Sequence, residues 1–137
     1  IFDSTGISKL NWSFLNVDHF YPNTPLGKIG ELKLRRNHLA NYVLMKEWNN
    51  KSKGKKWPNI LIENEKAWPT NSADKENFKN HSIPTKSPGG PWISNPEITY
   101  KDHKKFTKQY LNFLRWRSKQ IATNVNSTLD DIEANGF

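Results

Sequence analysis

The chain has no cysteine and a single methionine among 137 residues. Without thiols there are no disulfides and no thiolate-ligated zinc. The same lack suits a reducing cytoplasm, which is the expected location. No apolar run exceeds the four residues from Tyr42 to Met45, far short of the roughly 18 that mark a membrane-spanning helix. No secretory leader is visible. The chain starts at Ile1, as expected of a fragment of a longer chain with an upstream domain or a partner subunit. Acids are scarce beside bases: 13 Asp and Glu against 21 Lys and Arg leave a net charge of +8. An excess of that size attracts polyanions through counterion release. The same excess also suits an anionic membrane surface or simple solubility.

The length fits one domain with a modest core. Leu10-Asn11-Trp12-Ser13-Phe14-Leu15-Asn16-Val17 alternates apolar and polar side chains, the pattern of a half-buried strand, and runs into Asp18-His19. Pro22 to Gly27 is dense in turn formers and reads as loop. Residues 28–40 scatter Lys28, Lys33, Arg35 and Arg36 among Ile29, Leu32 and Leu34; either an elaborated loop or a short helix satisfies that pattern. Tyr42-Val43-Leu44-Met45 is a second strand, rich in β-formers. A brief helix is predicted from about Lys46 to Lys53, closed by Gly54.

Residues 58–98 contain six prolines and Gly89-Gly90 and read as irregular wrap, pinned by Ile60-Leu61-Ile62, Trp68 and Trp92. Thr99-x-x-Asp102 then reads as a capping box. It opens a helix of about five to six turns, with Phe106, Tyr110, Phe113, Leu114, Arg117 and Ile121 on one face. A second, shorter helix is expected after Ser127, stopped at Gly136.

Two stretches carry chemistry. Val17-Asp18-His19-Phe20-Tyr21-Pro22 sets a carboxylate beside an imidazole at the end of a strand. About twenty residues later, Asn41 precedes the second strand, with Asn50, Lys53 and Gly54 at fixed offsets. Together these resemble the HNH, or His-Me finger, nucleases, over roughly residues 10–57. The lack of cysteine matches the zinc-free branch, which includes the HNH domains of CRISPR effectors and the C-terminal nuclease domain of GmrSD-type restriction enzymes. The resemblance implies an α+β fold with a small ββα-metal core, a long irregular segment over 58–98 and a long C-terminal helical part over 99–137.

It also implies hydrolysis of DNA phosphodiester bonds with Mg²⁺ (or Mn²⁺), no structural zinc, DNA and not a membrane as partner, and a place in restriction or antiphage defence. By the same resemblance His19 is the general base, Asn41 braces the loop that orients it, and Asp18 and Asn50 hold the metal. Asn49 is the rival for that last position. The residue chemistry agrees with these roles. Mg²⁺ takes hard oxygen donors and keeps several waters, and adjacent residues of a strand face opposite ways, so Asp18 and His19 can divide metal and water between them. Histidine is the side chain whose ordinary titration lies nearest neutrality. Lys51, Lys53, Lys55 and Lys56 follow the metal helix, and with Arg35 and Arg36 they are expected on DNA phosphates. His38 reads as a loop residue. Lys101, Lys104, Lys105, Lys108, Arg115 and Lys119 offer a second phosphate-facing surface, while Trp116 reads as packing.

One such site cuts one strand, so a double-strand cut calls for a homodimer or a second event. Two other readings compete: a basic nucleic-acid-binding protein without catalysis, and a degenerate HNH domain serving as a clamp. A nuclease acting on RNA is a third.

Overall fold

The computed structural model describes residues 15–46, 54–58, 93 and 95–136. They form an α+β arrangement, with a two-stranded antiparallel sheet and a long C-terminal helix. Strand β1 (Leu15–His19) pairs with β2 (Tyr42–Lys46) in the register Leu15↔Lys46, Val17↔Leu44 and His19↔Tyr42. Asp18 and His19 are therefore the last residues of β1, as the strand pattern predicts. β2 extends through Lys46, one residue beyond Met45. The rest of the helix predicted to follow, including Asn50, Lys51 and Lys53, lies outside the described residues. Gly54, its expected stop, has φ of 51°, a left-handed conformation that glycine adopts without a Cβ penalty.

The connection from Phe20 to Asn41 is more ordered than its turn-rich composition suggests. Pro22 to Gly27 is not simple loop: α1 (Asn23–Gly27) is a short helix. Its proline, Pro25, falls within the first turn, where a missing N–H costs nothing. Of the two options for 28–40, the structure takes the elaborated loop, built from three 3₁₀ turns at Gly30–Leu32, Arg35–Asn37 and Leu39–Asn41. Each is too short to present a continuous apolar face, but α1, the linking Ile29 and these turns together send Leu26, Ile29, Leu32 and Ala40 into the core.

The predicted irregular wrap lies almost wholly outside the described residues, including Ile60-Leu61-Ile62, Trp68 and Trp92. Its end is helical: α2 (Pro96–Thr99) has proline at its first position and begins after Asn95 at φ 43°. This turn consumes Thr99, which is buried, so Thr99 does not cap the next helix. Asp102 caps it, its Oδ1 accepting from the Lys105 amide (3.1 Å).

From there α3 (His103–Asn135) runs 33 residues without a break, about nine turns against the five to six predicted. The expected second start near Ser127 does not occur. No Gly or Pro interrupts residues 103–135. Thr123 and Thr128 bond back to the Lys119 and Asn124 carbonyls (3.0 and 2.9 Å), so these hydroxyls stay within the helix instead of capping a new one. Gly136 ends it at φ 73°, its amide donating to Ile132 (2.7 Å). Among the described residues no helix is long and apolar enough to cross a membrane.

The predicted helix face is the buried one. Phe106, Tyr110, Phe113, Leu114 and Arg117 are buried, and Ile121 lies half-buried at its end. Phe113 stacks on Phe20 (centroids 5.2 Å apart, 10° between planes) and meets Tyr21 edge-on (4.8 Å). The two residues directly after His19 are thus the main apolar link between sheet and helix. Burial of such rings stabilises by about 1.5–3 kcal/mol each.

Candidate functional site

His19 closes β1 opposite Tyr42, and their rings lie 4.8 Å apart. Residues opposed across a ladder share a face, so His19 lies on the Tyr42 side and Asp18 on that of buried Val43. Both site residues are half-buried. The adjacent pair therefore presents an imidazole on one face and a carboxylate on the other, the division that the sequence predicts.

The chain leaving His19 is held by Asn41. The Asn41 side chain is completely buried and makes three bonds. Oδ1 accepts from the Tyr21 amide (2.9 Å), while Nδ2 donates to the Tyr21 carbonyl (3.2 Å) and the Arg36 carbonyl (2.9 Å). Its backbone carbonyl accepts from Phe20 (2.6 Å). One amide thus ties the start of the connection, at Tyr21, to its end, at Arg36. A buried amide aligned on both polar groups of one residue fixes that residue's backbone as a strand partner would.

The bracing continues into α3. Arg117 is 4 % exposed, and its Nη1 donates to the Ala40 carbonyl (2.7 Å) and to that of Tyr42. These are the residues flanking Asn41. Burial lowers the Arg117 guanidinium to about 10, so it remains a cation at neutral pH and its bonds are charge-assisted. Tyr110 donates to the Arg35 carbonyl (3.1 Å), and Tyr100 to that of Pro25 (2.6 Å). Tyr21 accepts from the Ile93 amide (3.2 Å). Burial raises the hydroxyls of both Tyr21 and Tyr110 above the ordinary tyrosine value.

Asn37 is a site neighbour that no sequence pattern marks. Its Oδ1 lies 3.0 Å from His19 Nε2. In the tautomer that carries hydrogen on Nε2, that nitrogen donates to Asn37 Oδ1 and the lone pair lies on Nδ1. Nothing in a basic, aperiodic loop distinguishes one asparagine among its turn formers; only the 3₁₀ turn at Arg35–Asn37 brings it back to β1. His38, next to it, acts locally: Nδ1 accepts from the Ala40 amide (3.1 Å). It is the loop residue predicted. His103 lies against Tyr100 at the start of α3, with ring centroids 5.2 Å apart and planes tilted by 53°, remote in sequence from the pair.

Among the described residues no three His, Asp or Glu side chains gather into a closed metal cage. The donor set that the resemblance implies is sparser, Asp18 with Asn50, and Asn50 lies outside the described residues. Asp18 is a hard oxygen donor at a strand end beside an imidazole, which fits a cation that keeps most of its water.

The described basic residues differ. Lys55, Lys56 and Arg35 are exposed. Arg36 is half-buried with Nε enclosed. A Cβ on Gly27 would collide with its Nη1, so this guanidinium lies along α1. Trp116 is half-buried. Comparison of the chain with protein-family models, with curated proteins and with solved structures finds no match.

Proposed function

We propose that this protein is a metal-dependent endonuclease of the ββα-metal type, hydrolysing DNA phosphodiester bonds. The observation that carries the reading is the buried Asn41 amide, bonded to Tyr21 and Arg36 and thereby bracing the chain that leaves His19. A bracing role is what the resemblance assigns to this position, and a solvent-exposed or unrelated asparagine would have spoken against it.

In this reading Asp18 and Asn50 hold Mg²⁺ or Mn²⁺. The cation, when bound, neutralises charge on the phosphate and on the leaving oxygen. His19 accepts the proton of the attacking water. In the tautomer whose Nε2–H donates to Asn37 Oδ1, the accepting atom is Nδ1. Asn41 and Arg117 keep His19 at its angle: the first fixes Tyr21 and the second fixes the carbonyls on either side of Asn41. Asn37 is a positioning residue, holding the ring and its tautomer. Lys55, Lys56 and Arg35, with Lys51 and Lys53, contact flanking phosphates without reading bases.

Supercoiled plasmid incubated with the chain and Mg²⁺ or Mn²⁺ tests this. Nicking is expected, abolished by EDTA and reduced about 10²- to 10⁴-fold in His19→Ala. A folded chain that binds DNA in EDTA but never cuts it, with metal or without, would leave the non-catalytic clamp as the better account. Preference for RNA in the same assay would redirect the reading to a ribonuclease.

A further inference from the structure

The first half of α3 carries charge in a way that its own stability does not favour. Between His103 and Leu129 there are six cations and no acid. Arg117 is the buried one. Of the other five, Lys104, Lys108, Arg115 and Lys119 fall within about 60° of one another around the axis, opposite the face that packs on the core. All four are exposed. Among the described residues no acidic side chain forms an ion pair with them, and only Arg115 has a bond, to Asn112 Oδ1 (3.3 Å).

Two features make this more than a solvated surface. Lys104 with Lys108, and Arg115 with Lys119, are like charges four residues apart, an arrangement that weakens a helix. The cations also crowd the N-terminal half, while Asp130, Asp131 and Glu133 sit near the C-terminus. That is the reverse of what the helix dipole favours at each end. A face kept only for solubility would mix signs and gain from i,i+4 pairs. A face that is repulsive alone is stabilised by an anionic partner.

We propose that the outer face of α3, formed by Lys104, Lys108, Arg115 and Lys119, docks the sugar-phosphate backbone of duplex DNA. The two pairs are centred about 16 Å apart along the axis, enough to reach phosphates on both sides of a major groove about 12 Å wide. A bilayer-binding helix would expose large apolar anchors among its cations; the one large apolar residue among these, Leu111, is half-buried against the core instead. A single-strand platform would set aromatic rings there, and the nearest, half-buried Trp116, projects about 60° or more away from the stripe. The surface lies on the far side of α3 from Arg117 and the His19 loop, so it holds flanking DNA instead of the scissile phosphate.

The test is binding without hydrolysis, so it stands apart from whether the chain cuts. The full chain carrying His19→Ala is titrated with a 30-base-pair duplex in EDTA over a series of salt concentrations. Lys104→Gln, Lys108→Gln, Arg115→Gln and Lys119→Gln together are expected to weaken binding at least about tenfold near 0.1 M salt. The slope of log Kd against log salt should become shallower by about 3 to 4. The same quadruple variant is expected to melt no lower than the parent, since it loses two repulsive pairs. The charge-preserving K104R/K108R/R115K/K119R is expected to bind as the parent does, and K28Q/K33Q to change the slope by about 2 at most. An unchanged slope in the quadruple variant overturns the proposal, as does equal loss in the charge-preserving one. So does a quadruple variant that loses binding to phosphatidylserine vesicles while keeping duplex binding, which would assign the face to a membrane.

Discussion

The connection from Phe20 to Asn41 and helix α3 face each other across one core to which both contribute apolar side chains, yet their backbones are held in different ways. A helix satisfies its own backbone, so α3 needs only an apolar face, and it supplies Phe106, Tyr110, Phe113 and Leu114. The connection has no ladder or long helix of its own. Its buried polar groups must find partners elsewhere, and they find them in the Asn41 amide, the Arg117 guanidinium and the tyrosine hydroxyls. Apolar packing is forgiving about angle, whereas hydrogen bonds are directional. The connection also packs Phe20, Tyr21, Leu26, Ile29, Leu32 and Ala40 into that core, so both regions contribute stability, while the geometry of His19 rests on the directional bonds of the connection.

The sharpest way to break that division is from the helix side. Phe113 touches Phe20, Tyr21 and Tyr110, so Phe113→Ala is expected to cost about 3–5 kcal/mol. Denaturant unfolding reads it, with the midpoint falling and the slope unchanged. Asn41→Ala should cost less, about 2–4 kcal/mol, since it leaves three buried backbone groups without that partner. Under the nuclease reading its effect on cleavage should exceed its effect on stability. Plasmid nicking by Asn41→Ala, measured well below its melting temperature, should fall by about 10²-fold. Equal, proportionate losses in both variants would erase the distinction between packing and geometry.

Tyr110 belongs to both regions, stacking among the helix aromatics while its hydroxyl donates to Arg35. Burial raises its pKa and that of Tyr21 above 10.0. The unfolded chain therefore ionises these groups first. Their contribution to stability is complete below about pH 10 and is lost as pH rises through the folded values. Arg117 has the opposite sign: its folded value is lowered to about 10 from 12.5, so the cost of its burial is relieved across that window. Two tyrosines against one arginine make net loss the expectation. Tyr110→Phe should lower stability at pH 7 by about 1 kcal/mol and flatten the fall above pH 10, as read by chemical denaturation at successive pH values.

Legibility in the sequence divides along the same line. The end of the strand at Asp18-His19 was legible as a position in the chain, although Val17, an apolar member of the alternation, is 64 % exposed. The apolar face of α3 was legible because 3.6-residue spacing reports burial directly. A bracing role for Asn41 was suggested only by the family resemblance that its offsets carry, and the buried bonds to Tyr21 and Arg36 were not readable from the residues themselves. The helical turn at Asn23–Gly27 and the capping of α3 by Asp102 instead of Thr99 were not. Turn formers and short polar side chains serve loops, caps and short helices equally, and tertiary packing chooses among them. The Asn37–His19 bond was illegible for a related reason: it joins residues 18 apart through a 3₁₀ turn that leaves no periodic trace.

The smallest expected effect marks where the helix stops belonging to the core. Leu114 and Leu129 share α3, but Leu114 is buried and Leu129 is 56 % exposed. Leu129→Ala removes little contact and gains slightly in helix propensity, so its stability should stay within about 0.5 kcal/mol of the parent. Leu114→Ala, the identical change about four turns nearer the start of the helix, should cost about 2–5 kcal/mol. The contrast within one helix asks whether the last turns of α3 are held by the domain at all. If Leu129→Ala proved as costly as Leu114→Ala, that end of the helix would have to be packed against something, and its exposure in the free chain would be the wrong measure of its role.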